Sequence, residues 1–168
     1  RRVLFRSRAA VIYDSRVDLV SLPDGKVVTS GEISDDWDGL EATFSPDGQA
    51  AVIRTGSAAL ILRAGQDTAT EVEGGEDLSL EGSVVFLNPA QFLYAEYGEG
   101  QLFDAQTGEP VGDALELDSL DTLVGGPDGQ VLSLGGSVGR LNLSALDAPA
   151  RPRVTLPSAN AWSGAFIG

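Results

Sequence analysis

The chain has 168 residues, enough for one domain with a substantial core or for part of a larger protein. It contains no Cys and no His, which excludes disulfides, thiolate chemistry and the imidazole groups that serve most often as general bases and metal ligands. A formal net charge of −14 repels phosphate backbones and anionic lipid surfaces, so no nucleic acid and no membrane contact is expected of this segment.

Residues 1–7 read RRVLFRS and carry three of the eleven basic residues; the rest of the chain then has 8 basic against 25 acidic residues, or −17. They resemble a translated sequencing-adapter junction of the kind found at the ends of metagenomic fragments. The alternative is a basic juxtamembrane or signal-peptide remnant. Residues 1–8 are set apart as a leader, non-native or disordered. The chain lacks Met and is read as a fragment of a longer protein. One Lys against ten Arg, with abundant Ala, Gly and Asp, suggests a bacterial genome rich in G and C.

From residue 9 onward the sequence predicts short strands. The first unit, 9–41, offers three: AAVIYDS, RVDLVSL and KVVTSGEI. SDDWDG at 34–39 invites a calcium loop. With Ser34 as position 1, Asp36, Asp38 and Gly39 fall at positions 3, 5 and 6, but positions 1 and 12 are Ser34 and Ser45. Two anchors fail, so a solvated loop with Trp37 against a sheet edge is expected; a looser cation site stays open. Asp36, Trp37 and Asp38 remain candidate partner-binding residues.

The second unit, 42–80, opens with ATFS, turns at Pro46-Asp47-Gly48, and continues with QAAVIRTG, SAALILRAG and a polar, alternating DTATEVEG. Pro fixes φ, Asp bonds its own backbone and Gly accepts positive φ, so SPDG is turn chemistry. The carboxylates of EVEGGED at 71–77 could suggest an acid–base pair, but Gly74-Gly75 between them points to a solvated turn.

The third unit, 81–120, repeats the order as VVFLN, QFLYAEYG, GQLFDAQTG and EPVGDALEL. On strand alternation Phe92, Tyr94 and Glu96 share one face, and Leu93, Ala95 and Tyr97 the other. Glu96, Tyr97 and Glu99 are candidates for a recognition patch, because aromatic residues anchor interfaces. The alternative is core packing plus a hairpin turn. The fourth unit, 121–160, reads DTLVGG, QVLSLGGS, VGRLNLSAL and ARPRVTLP, and AWSGAFIG at 161–168 looks like the opening strand of a further unit.

The units repeat. Pro46, Pro89 and Pro127 are 43 and 38 residues apart; Gly25, Gly65 and Gly108, each after a third strand, are 40 and 43 apart. Periods of this size mark solenoids or propellers. The middle strands are nearly continuous apolar runs (AVI, AALIL, FLYA, VLSL), as in sheets covered on both faces. The fold class expected is all-β: β-propeller blades of four antiparallel strands, about four blade units, as an incomplete arc of a larger propeller. Sixteen strands closing as four blades is the alternative.

FSPDGQAAV and LFDAQTGEPVG resemble a WD-repeat-type β-propeller in a divergent bacterial form, over residues 9–168. The family's Gly-His before each first strand is absent, and its Trp-Asp pair survives once, as Phe103-Asp104. The His-Asp network of that family therefore cannot form. The resemblance implies a non-catalytic interaction or scaffold module of a larger bacterial protein, binding through its loops. The acidic body implies basic protein partners and salt-sensitive association. Neither cofactor nor metal nor catalytic residue is expected. The Ser-x-Asp-x-Gly box of sialidases fails at Ser45-Pro46-Asp47-Gly48, and the quinoprotein motif at 104–112 has Gly112 in place of Trp. The alternative is part of a propeller enzyme or ligand-binding propeller whose active residues lie in other blades.

Overall fold

The computed structural model describes residues 8–13, 15–33, 39–116, 122–125, 130–134, 138–142 and 155–156. Among them are fifteen strands in four antiparallel sheets. The first sheet holds β1 (Arg8–Tyr13), β2 (Arg16–Ser21) and β3 (Val27–Glu32). The second holds β4 (Leu40–Phe44), β5 (Ala50–Thr55), β6 (Ala59–Arg63) and β7 (Thr70–Glu71). The third holds β8 (Ser83–Asn88), β9 (Gln91–Glu96), β10 (Glu99–Asp104) and β11 (Pro110–Glu116). The fourth holds β12 (Thr122–Gly125), β13 (Gln130–Leu134), β14 (Val138–Asn142) and β15 (Thr155–Leu156). Every strand lies beside its neighbours in chain order, so the all-β repeat read from the sequence is the repeat that forms.

The SPDG turn forms as its residue types require. Gly48 N–H donates to the Ser45 carbonyl at 2.9 Å, and Gly48 sits at φ 67°. The Asp47 carboxylate accepts from Ser45 Oγ at 2.7 Å and from Gln49 N–H at 3.0 Å, stitching the turn to itself. At the corresponding place in the third sheet, Asn88 does this work. Its side-chain oxygen accepts from Ala90 N–H at 2.8 Å across the Asn-Pro turn. The third member of the series, at 126–129, lies outside the described residues, as do RRVLFRS and AWSGAFIG.

Two expectations change. Arg8 pairs with Ser21, so the first strand starts one residue before the expected boundary. The fourth strand of the second sheet, expected over DTATEVEG, is reduced to Thr70–Glu71. Gly74 at φ 67° turns the chain into a short 3₁₀ segment, Gly75–Asp77. Gly75 is buried there, and a Cβ on it would stand 2.9 Å from the Ala59 nitrogen. Alternation in a polar run does not measure strand length when two glycines let the backbone fold against its neighbour.

The chain forms two compact units, one of residues 1–80 with 105–109, the other of 81–104 with 110–168. The first has a core of Val17, Leu19, Ile33, Ala51, Ile53, Leu60 and Leu62. All six residues of β5 are buried, as the continuous apolar run predicts. The second unit packs Val85, Leu87, Leu93, Ala95 and Leu102 against Leu123. The opposite face of the third sheet carries Phe92, fully buried, with its ring 5.2 Å from Phe103 and 5.7 Å from Phe86. Each such fully buried side chain contributes roughly 1.5–3 kcal/mol. The predicted split of faces along β9 therefore holds for residues 92, 93 and 95. In β11 the pairing with β10 shifts between Gly100 and Leu102, and Gly112 there sits at φ 72°.

Candidate functional site

The β9–β10 hairpin places three of the six candidate residues together. Its two-residue turn is Tyr97-Gly98, with φ 49° and 85°. Positive φ at both positions is the geometry of a type I′ turn, whose backbone twist suits a tight hairpin and which favours Asn-Gly. Tyr97 is the one described residue other than glycine with positive φ. An aromatic side chain in that region is strained.

Tyr97 stands in solvent. It is 80% exposed in the turn, while Phe92, Leu93 and Ala95 before it are buried. Around it stand carboxylates. Glu96 and Glu99 are direct cross-strand partners at the mouth of the turn, a like-charge pair that weakens a hairpin. Glu96 is half-buried and accepts a hydrogen bond from the Tyr94 hydroxyl on the same strand face, while Glu99 is exposed. The Tyr97 hydroxyl donates to Glu81, which raises the phenol pKa above its ordinary value, through that hydrogen bond first and the carboxylate's charge second. Glu81 went unrecognised in the sequence because it is sixteen residues away. A register argument finds it: Ser83 pairs with Ala95, and two further steps set 81 opposite 97.

A raised phenol pKa has a testable sign. The neutral hydroxyl is favoured in the folded state, so its contribution is complete below the ordinary tyrosine range near about 10 and is lost as pH rises through the folded value. An absorbance titration of the wild type minus Tyr97→Phe should show this phenolate appearing later than a free tyrosine's. Glu81→Gln should bring it earlier. Ionisation at the free-tyrosine pH in both proteins would remove Glu81 from the site.

Trp37, Asp36 and Asp38 lie outside the described residues. Among the described residues no group of three His, Cys, Asp or Glu side chains is placed to hold a metal ion. No helix among them is long and apolar enough to cross a membrane.

Two buried polar centres were not singled out in the sequence. Asp18 is fully buried and accepts from Arg16 Nη2 at 2.6 Å and from Ser30 Oγ at 2.7 Å. The Arg16 guanidinium also lies over the Tyr13 ring at 5.1 Å, and its pKa is raised, chiefly by the hydrogen bond to Asp18. Arg54, in the middle of β5, is 1% exposed and donates to Glu41 on β4 and to the Ser79 carbonyl. Both are paired across the sheet or to backbone, as buried charges must be, and both read as structural. Alternation was the available signal: Arg16 and Asp18 share a strand face, and Glu41 and Arg54 are register partners.

No protein-family model matches the chain, and no curated protein matches it by sequence. Solved structures do. The β-propeller domain of Cps50 (Swd1) from Myceliophteria thermophila is similar at 16% identity and a TM-score of 0.54, over 87% of this chain and 54% of that one. The calcium-binding protein regucalcin from Agrobacterium tumefaciens is similar at 19% identity and a TM-score of 0.56, over 98% of this chain and 62% of that one. Kuenenia stuttgartiensis hydrazine synthase is similar at 13% identity and a TM-score of 0.50, over 83% of this chain and 44% of that one. The chain thus spans less than two thirds of each of these three structures, and at these identities the likeness is one of fold. The four antiparallel sheets are β-propeller blades.

Proposed function

We propose that this chain is a non-catalytic interaction module of the propeller type, divergent from WD repeats and part of a larger bacterial protein, that binds a basic protein segment through the β9–β10 hairpin. One observation carries the reading. Tyr97 is 80% exposed in a backbone conformation that disfavours it, its hydroxyl donates to Glu81, and Glu96 and Glu99 pair at the mouth of its turn. Aromatic residues are expensive to leave in water and are enriched where interfaces form. A hairpin optimised for stability alone would carry Asn-Gly here and would not oppose two glutamates. A lysine or arginine laid across Tyr97 would gain a cation–π contact and relieve the Glu96–Glu99 repulsion together.

The test separates stability from binding. Tyr97→Asn should stabilise the fold by about 0.5–1 kcal/mol, because Asn tolerates the left-handed region better. The same change should weaken capture of a Lys/Arg-rich peptide by about tenfold, and added salt should weaken the wild-type complex. Equal peptide affinity in Tyr97→Asn and wild type would remove the hairpin from the function.

A second reading, a ligand-binding or enzymatic propeller whose active residues lie in other blades, draws support from the likeness to regucalcin and hydrazine synthase. A calcium titration of the whole protein distinguishes it. A saturable heat of binding would favour this reading, and its absence the interaction module.

A further inference from the structure

Gly82 is a glycine that its backbone does not require. It is not among the described glycines with positive φ, so alanine would meet no left-handed strain there. Space is the requirement. A Cβ on Gly82 would stand 2.5 Å from Cε2, Cζ and the hydroxyl oxygen of Tyr94. Register explains the contact. Val84 pairs with Tyr94 and Ser83 with Ala95, so one further step sets Gly82 opposite Glu96. Cross-strand partners share a sheet face, and the Tyr94 ring reaches diagonally into the place that a side chain at 82 would take.

The ring so placed is buried, and its hydroxyl donates to the Glu96 carboxylate. Glu96 therefore has Glu99 beside it on β10 and, on the β8 side, a tyrosine hydroxyl where a neighbouring side chain would otherwise stand. Residues 81 and 82 act on both tyrosines of the hairpin. Glu81 accepts from the Tyr97 hydroxyl, and Gly82 makes room for the Tyr94 ring. A glutamate beside a like charge is pushed to swing away from it. One tied in place beforehand loses less freedom when a cation arrives, and that difference favours binding.

We propose that Gly82 and Tyr94 are positioning residues of the recognition hairpin: the glycine seats the ring, and the ring's hydroxyl aims Glu96 at the basic side chain that lies over Tyr97. The proposal rests on the reading of this hairpin as the site for a basic protein segment. Tyr94 is buried, so it acts through Glu96 rather than by touching the partner.

The probe is the Lys/Arg-rich peptide, with the full chain. Tyr94→Phe keeps the ring and removes the donor, so the peptide should bind about fivefold more weakly. The urea midpoint and the salt dependence of binding should stay near those of wild type, because no charge has changed. In a Glu96→Gln background the same change should alter affinity by less than about twofold, since its target is gone. Gly82→Ala should displace the ring and weaken binding about fivefold as well, and the two changes together should do no more than either alone. Equal weakening by Tyr94→Phe with and without Glu96 would overturn the proposal, as would wild-type affinity in Tyr94→Phe. Full additivity of Gly82→Ala and Tyr94→Phe would take Gly82 out of it. Tyr97→Asn separates the two levels. If it binds the peptide as wild type does, the hairpin reading fails and the proposal with it; if it binds weakly while Tyr94→Phe binds normally, the proposal alone fails.

Discussion

Replacing Glu41 with alanine is expected to destabilise the protein by about 3 kcal/mol, far more than a half-exposed carboxylate ordinarily contributes. The reason lies in its partner. Glu41 is 49% exposed, but the Arg54 side chain it neutralises is 1% exposed. Removing the carboxylate takes from a guanidinium inside the sheet the counter-charge that Glu41 supplies, while the bond to the Ser79 carbonyl stays. The reverse change, Arg54→Met, should be milder. Glu41 then returns to water, an apolar chain of similar length fills the site, and the lost bond to the Ser79 carbonyl costs about 1 kcal/mol. The double variant Glu41→Ala/Arg54→Met should recover most of what Glu41→Ala alone loses. Urea unfolding with constant slope reads all three. A loss under about 1 kcal/mol for Glu41→Ala would place this pair with ordinary surface ion pairs and sink the argument.

Gly108→Ala should be the other severe substitution, at about 3 kcal/mol, with Gly25→Ala as its control at about 1 kcal/mol. Both glycines have positive φ, 76° and 65°, so both substitutions meet the same backbone strain. They differ in space. A Cβ on Gly25 meets nothing within 4 Å, whereas one on Gly108 collides with the Glu71 carbonyl oxygen and stands 3.1 Å from the Val72 Cα. Backbone atoms cannot swing aside. The turn is fixed from the same side by Glu73 N–H donating to the Gly108 carbonyl at 2.9 Å and by Arg63 Nη1 donating to the Ala105 carbonyl at 3.3 Å. Equal losses in the two variants would show that conformation alone decides, and that the contact with β7 yields.

That comparison also shows what the sequence could convey. Gly108 was legible as a turn residue because positive φ is a local requirement, and so were Gly25, Pro46, Asp47 and Gly48. The blade repeat was legible for the same reason: turn chemistry and apolar runs recur at a fixed period. The close approach of Gly108 to Glu71 was not, because it joins positions 37 residues apart and no local pattern encodes it. The fourth strand of the second blade was overread. Its alternation suggested eight residues, and the backbone bends away after Glu71 because Gly74 and Gly75 allow a buried turn. At the hairpin, residue type alone marks Glu96, Tyr97 and Glu99 as candidates. The structure adds the sign of φ at Tyr97 and the register that sets Glu81 opposite, neither of which a linear reading weighs.

The bulge in β11 has a bearing on how these chains behave in a crowd. A long flat strand at the side of a sheet is a template on which another molecule can polymerise. β11 is seven residues long, yet Gly112 breaks its pairing rhythm, and Asp113 and Glu116 stand exposed along it. β7 ends after two residues. Lateral growth is therefore stopped on the fourth-strand side of both blades, by broken rhythm and like charge in one and by brevity in the other.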